Sequence, residues 1–151
     1  MRLCLPLLMI VLAACTPSGS SDTTPPDATA GPPTQSPMGD TTLAGPVWVL
    51  DSLPGIASIA GSGGRMPELR FGADGNAGGF SGCNSMGGPY TVSGDSLTFG
   101  PLAMTMMACD EGMEVERAFG AALERVVRFA RRDSTLELFD ANGLAARFRA
   151  R

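Results

Sequence analysis

From Val47 onward, apolar and polar positions alternate in short runs bounded by glycine, asparagine and aspartate, the pattern of half-buried strands joined by tight turns. VWVLDS at 47–52 alternates and is rich in strand-forming residues. ELRFGAD at 68–74 leads into Asp74-Gly75, a dipeptide suited to a hairpin turn. YTVSGDSLTFG at 90–100 predicts two strands around Ser93-Gly94-Asp95, and TLELFDANGLAARFR at 135–149 predicts two more around Ala141-Asn142-Gly143. They read as successive antiparallel hairpins. One segment follows a different period. From Glu111 to about Val126, the residues Val115, Phe119, Ala122, Leu123 and Val126 fall on one face of an α-helix. Asp110 is placed to cap that helix, Glu111 and Glu114 suit the positive end of its dipole, and Gly120 weighs against it by about 1 kcal/mol. The expected fold is therefore β-rich α+β: an antiparallel curled sheet or partial barrel with one helix packed against it.

The first residues follow neither pattern. Arg2 precedes an apolar run from Leu3 to Leu12 that ends in small residues, the layout of a secretory signal peptide over 1–14. The run is well short of the roughly 20 residues needed to span a bilayer. Leu12-Ala13-Ala14-Cys15 resembles a bacterial lipobox, which implies cleavage before Cys15 and lipidation of that residue. Thr16, in place of an aspartate, implies sorting to the outer membrane, with the protein anchored on its periplasmic face. Each buried acyl methylene contributes about 0.8 kcal/mol, so an anchor with more than one chain holds stably. From there to Ala44 the chain is Thr, Pro, Ser, Gly and Asp, a linker over 15–44 with a span on the order of 30 Å. Residues 45–151 are left for one domain with a single core.

Composition removes several functions. The chain has no histidine, which excludes a Ser/His/Asp triad, a Cys/His dyad and a histidine-rich zinc site. Its formal net charge is -4, and no basic stripe or stacking run of aromatics is present, so nucleic acid is not an expected partner. GSGGR at 61–65 lacks the ending of a phosphate loop, and GFSGC at 79–83 lacks the last glycine of a nucleophile elbow. Carboxylates follow no calcium-loop spacing, and neither a cofactor nor a metal is expected. Met104, Met106 and Met107 read first as core fillers, with an adaptable binding surface as the alternative. Arg128, Arg131 and Arg132 read as a solvated face that favours the end of the helix dipole.

Of four cysteines, Cys4 leaves with the signal peptide and Cys15 takes the lipid, so Cys83 and Cys109 remain in an exported domain. One disulfide is expected. Closing that loop is worth about 3.5 kcal/mol by chain entropy. A redox-exchanging pair is the alternative, although the spacing is not Cys-x-x-Cys and no cationic neighbour is evident. Around Cys83, glycines 78, 79 and 82 fit a bulge or sharp bend, and Gly87-Gly88-Pro89 fits a turn into the strand at Tyr90. Asn84 tolerates the left-handed region and bonds nearby backbone.

Gly82-Cys83-Asn84, then Gly87 and Tyr90, then LTFGPLAMTMMAC at 97–109, a Glu-bearing helix and a closing TLELFDANGLAARF resemble the META domain, the family that includes the bacterial heat-shock protein HslJ. The resemblance runs from Val47 to Phe148 and takes in VWVLDS and PELRFGADGNAGGFSGCN. It implies a small, barrel-like β domain with one helix, exported and often lipidated, linked with envelope stress and without established catalytic residues. It marks Gly82, Asn84, Tyr90 and Thr105 as motif positions. Members commonly read Thr-Arg-Met-x-Cys before the helix, whereas this chain has Met106 in place of the arginine. The expected function is that of a non-catalytic envelope lipoprotein that binds another protein or a small apolar ligand. The alternatives are a thiol redox protein using Cys83 and Cys109 and a purely structural envelope component.

Overall fold

The computed structural model describes residues 42–151. The segments expected to be a signal peptide and most of a linker, with Cys15 between them, lie outside the described residues. The elements, in chain order, are β1 (Trp48–Ser52), β2 (Glu68–Phe71), β3 (Asn76–Phe80), β4 (Ser85–Ser93), β5 (Ser96–Phe99), β6 (Ala103–Met104), α1 (Met113–Glu124), β7 (Arg128–Arg132), β8 (Thr135–Asp140) and β9 (Gly143–Ala150). The strands form one antiparallel sheet in the order β3-β2-β1-β9-β8-β7-β5-β4-β6. An additional β3–β4 pairing joins distant parts of that order, so the sheet curls back on itself. It is not an evenly paired barrel. The β5–β7 seam holds only one register pair, Ser96 with Arg128, whereas β7 and β8 pair along the whole of β7.

Inward positions of the alternating strands make the core: Trp48, Leu50, Leu69, Phe71, Leu97, Leu136, Leu138 and Phe148 are all buried. Helix α1 adds Val115, Phe119, Ala122 and Leu123 from its apolar face, and the Phe119 and Phe148 rings lie 5.8 Å apart. The helix is shorter than its periodicity predicts. Asp110 does not cap it; Gly112 does, in the left-handed region at φ 88°, with no side-chain cap bond. Gly120 has a packing reason. A Cβ there would meet the Met104 methyl at 3.0 Å, so the glycine leaves room for that side chain.

Further differences from the sequence reading have physical causes. Leu43, assigned to the linker, is buried, and its carbonyl accepts the Trp48 indole N–H at 3.0 Å. Gly78 and Gly79 do not make a bulge, nor do Gly87-Gly88-Pro89 make a turn: they lie in β3 and β4, in an unbroken ladder from Asn76↔Pro89 to Phe80↔Ser85. Glycine is needed at 79 for close approach, since a Cβ there would overlap the Glu68 carbonyl of β2. Arg128, Arg131 and Arg132 belong to β7, not to the end of the helix. Arg128 lies 4.1 Å over the Phe139 ring. Arg131 lies over Trp48 and donates to the Thr42 carbonyl, so its stem covers core surface instead of forming a solvated face. The methionines are not core fillers either: Met106 is 97% and Met107 57% exposed.

Candidate functional site

The glycine-rich stretch turns between β3 and β4. Ser81 N–H donates to the Asn84 carbonyl at 2.9 Å, which closes a four-residue turn holding Gly82 and Cys83. Three stretches of chain converge on Gly82, whose φ is 130°. Its carbonyl accepts Ser62 N–H at 2.6 Å, and a Cβ on it would lie 2.6 Å from the Val115 side chain and 2.8 Å from the Gly112 carbonyl. Only glycine fits both the backbone conformation and the space. The helix therefore starts on Gly112, which is packed as tightly against Gly82 from the other side.

Glu116, in the first turn of α1, is the centre of this junction, and the sequence reading did not single it out. It is buried. One oxygen accepts Ser81 Oγ at 2.7 Å, Asn84 N–H at 2.6 Å and Cys83 N–H at 3.2 Å, and the other accepts the Asn84 side-chain amide at 2.9 Å. No guanidinium pairs with it among the described residues. Asn84 links the same turn to the segment before the helix. Its Nδ2 also donates to the Met107 carbonyl at 3.2 Å, and its Oδ1 accepts Thr105 Oγ1 at 2.9 Å and Met107 N–H at 2.7 Å. Thr105 Oγ1 in turn accepts Ser85 N–H at 3.2 Å. A disulfide joins Cys83 and Cys109, with sulfurs 2.03 Å apart. Gly82, Cys83, Asn84, Thr105 and Cys109 thus share one place. Tyr90 does not: its hydroxyl donates to the Gly72 carbonyl at 2.8 Å, and its ring meets Phe71 edge-on at 4.9 Å.

The acceptors of this junction are taken up by backbone and side-chain donors of the domain itself, so its chemistry here is the fixing of three loops. Burial pushes the Glu116 pKa up, but the donated bonds of Ser81, Asn84 and Cys83 outweigh it and hold the group below its ordinary value near 4.5. The stability this adds is fully present above that value and is lost as pH falls from about 4.5 through the lower folded-state pKa. Urea unfolding from pH 7 to pH 3 is expected to show the loss, and Glu116→Gln is expected to flatten it. An unchanged slope in that variant would assign the effect to other carboxylates. Asp74, held down by its bonds from Asn76, sits on an exposed turn where solvent weakens such effects, and Asp140, at the end of β8, is held down chiefly by Asn142 N–H.

The segment the junction fixes carries the exposed methionines. β6 pairs with β4 through Met104 opposite Met86 and Ala103 opposite Gly87, and it ends the strand order. Thr105 N–H donates to the Ser85 carbonyl at 3.0 Å, which extends that pairing by one residue. Met106 and Met107 follow in the open, between this pairing and the disulfide. Among the described residues, no group of three or more His, Cys, Asp or Glu side chains is placed to hold a metal ion. No described helix is long and apolar enough to cross a membrane.

Comparison with known proteins agrees with this architecture. The family model for the META domain matches residues 41–151. A solved structure described as the NMR structure of the protein from Burkholderia xenovorans superposes with a TM-score of 0.60 at 30% identity, over 72% of this chain and 83% of that one. A second NMR structure superposes with a TM-score of 0.55 at 25% identity, over 69% of this chain and 87% of that one. No curated protein matches the chain.

Proposed function

Since the chain belongs to the META domain family and its own cysteine-bearing turn and helix glutamate build one junction, we propose that it is a non-catalytic recognition domain that binds another envelope protein. The observation that carries this reading is the methionine edge. Met104, Met106 and Met107 are 37%, 97% and 57% exposed on backbone pinned to Asn84 on one side and to Cys83 on the other. Thioether side chains adapt to varied apolar surfaces, and a fixed backbone reduces the entropy lost on binding. An edge strand also offers main-chain groups to an extended partner segment. A protein fits better than a small apolar ligand, because the depressions beside Ala118 and beside Glu68 are of mixed polarity, and the more apolar one beside Phe99 and Val127 is open to solvent and does not enclose a ligand. In this proposal the domain is exported and held by lipid on Cys15 to the periplasmic face of the outer membrane. A photo-crosslinking residue at Met106 is expected to give one discrete adduct in irradiated cells, in a membrane fraction from which Cys15→Ser releases it. The same residue at Asn142, on the β8–β9 turn, serves as control. Identical adducts from both positions, or none from position 106, would sink the reading.

A further inference from the structure

A second face of the domain carries charge in a different arrangement. Glu68 points to the outside of the sheet from β2, yet its side chain is only 9% exposed, because arginines cover it. Arg65 and Arg70 reach one carboxylate oxygen at 3.0 and 3.2 Å, and Arg151 reaches the other at 3.3 Å. These side chains, with Val49 and Met66, line an open depression of about 470 Å³.

The numbers of charges do not match. Three guanidiniums meet one carboxylate, which leaves two positive side-chain charges without a counter-charge in the depression. The arginines are 56%, 57% and 70% exposed, and exposed ion pairs add little stability, so a third guanidinium on one carboxylate is not accounted for by folding. Each uses one terminal nitrogen on Glu68, and no other acceptor engages these guanidiniums among the described residues. The remaining donors are held in place. Arg65 is stacked 4.1 Å over Phe80, the cross-strand neighbour of Glu68. Arg70 shares the outward face of β2 with Glu68, two residues on, and Arg151 N–H is tied to the Val47 carbonyl at 2.9 Å. Planar guanidinium forks fixed around an open space match the oxygens of phosphate in geometry and charge.

We infer that Arg65, Arg70 and Arg151, positioned by Glu68, form a binding site for a phosphate-type oxyanion, either free or in a lipid headgroup. It lies apart from the methionine edge and does not depend on the reading given to that edge.

The full chain carrying Cys15→Ser, so that no acyl group at that residue holds it to a bilayer, is titrated with inorganic phosphate while the arginine side-chain N–H signals are followed by NMR. Saturable shifts of the Arg65, Arg70 and Arg151 signals at millimolar phosphate are expected, weakening as chloride is raised. Arg65→Ala/Arg70→Ala is expected to lower the affinity at least tenfold, while Arg132→Ala, on exposed β7 surface, leaves it unchanged. Should the double variant not fold, Arg70→Gln carries the same comparison. Co-sedimentation with phosphatidylcholine vesicles, with and without phosphatidylglycerol, separates the sources. Binding that requires phosphatidylglycerol supports a headgroup, and phosphate binding alone supports a free oxyanion. Absence of both, or binding that survives loss of Arg65 and Arg70, overturns the site.

Discussion

Replacing Glu116 with alanine is expected to remove about 3 kcal/mol of stability or more, a large share of the roughly 5–15 kcal/mol that a small domain has to lose. The variant leaves Cys83 N–H, Asn84 N–H and one Asn84 amide hydrogen without their acceptor in a buried place. Each such donor costs roughly 1–3 kcal/mol when water cannot reach it. Ser81 Oγ is spared, because its one hydrogen has a second acceptor to turn to, the Asn84 carbonyl 2.8 Å away. For a domain of this size the loss corresponds to a fall in Tm of about 15 °C. Glu116→Gln is expected to fall between, since it keeps one acceptor and turns an amide toward the others. Glu114→Ala, exposed in the same helical turn, is expected to stay within about 0.5 kcal/mol of the parent. Thermal unfolding by circular dichroism gives all three values. A Glu116→Ala Tm close to the parent's would mean that water or a local shift satisfies the donors, and that the junction is not what fixes the turn.

That residue also marks where the sequence stopped being legible. The helix was readable because Val115, Phe119 and Leu123 repeat at its period, and the hairpins because Gly94-Asp95 and Asn142-Gly143 sit between alternating runs. Glu116 carried a signal of its own: it is four residues before Gly120 and seven before Leu123, so a carboxylate falls on the apolar stripe. Its partners were not readable, since Ser81, Cys83 and Asn84 lie more than thirty residues away. β7 was hidden by composition. RFARR offers one apolar inward residue, Phe129, and its arginines work as covers for Phe139 and Trp48, which alternation alone does not reveal. β3 and the start of β4 were hidden by glycines, of which Gly79 and Gly88 serve close approach to neighbouring backbone, a property of the packed sheet and not of the local chain. The arginine cluster escaped for a related reason, because net charge averages over the chain while Arg65, Arg70 and Arg151 meet only through the β2–β1–β9 pairings.

Removing the disulfide by Cys83→Ser/Cys109→Ser is expected to cost roughly 2–5 kcal/mol and to leave recognition intact below the new melting transition. The bridge spans 26 residues of sequence, for which chain entropy alone gives about 3.5 kcal/mol. Cys83 is buried, and the turn around it stays bonded to Glu116 and Asn84 when the sulfur link is gone, so the β3–β4 connection survives. The weaker constraint is on the other side. Ala108 and Asp110 flank Cys109 in the open, and no hydrogen bond from the residues between Met107 and Gly112 holds them to the sheet among those described. The segment leading into α1 is therefore expected to loosen first, with faster amide exchange at 108–112 than at 81–85. Met106 stays anchored through Thr105 and the bonds between Asn84 and Met107, so the crosslink from position 106 is expected to persist in the folded variant. A thiol-exchange protein would behave in the opposite way. Its stability would change little, its activity would vanish with the sulfurs, and the native pair would equilibrate with glutathione near the potential of a catalytic dithiol. Measuring unfolding, crosslinking and glutathione equilibrium on the one double variant and its parent separates the two, and the second pattern would replace recognition by redox chemistry at Cys83 and Cys109.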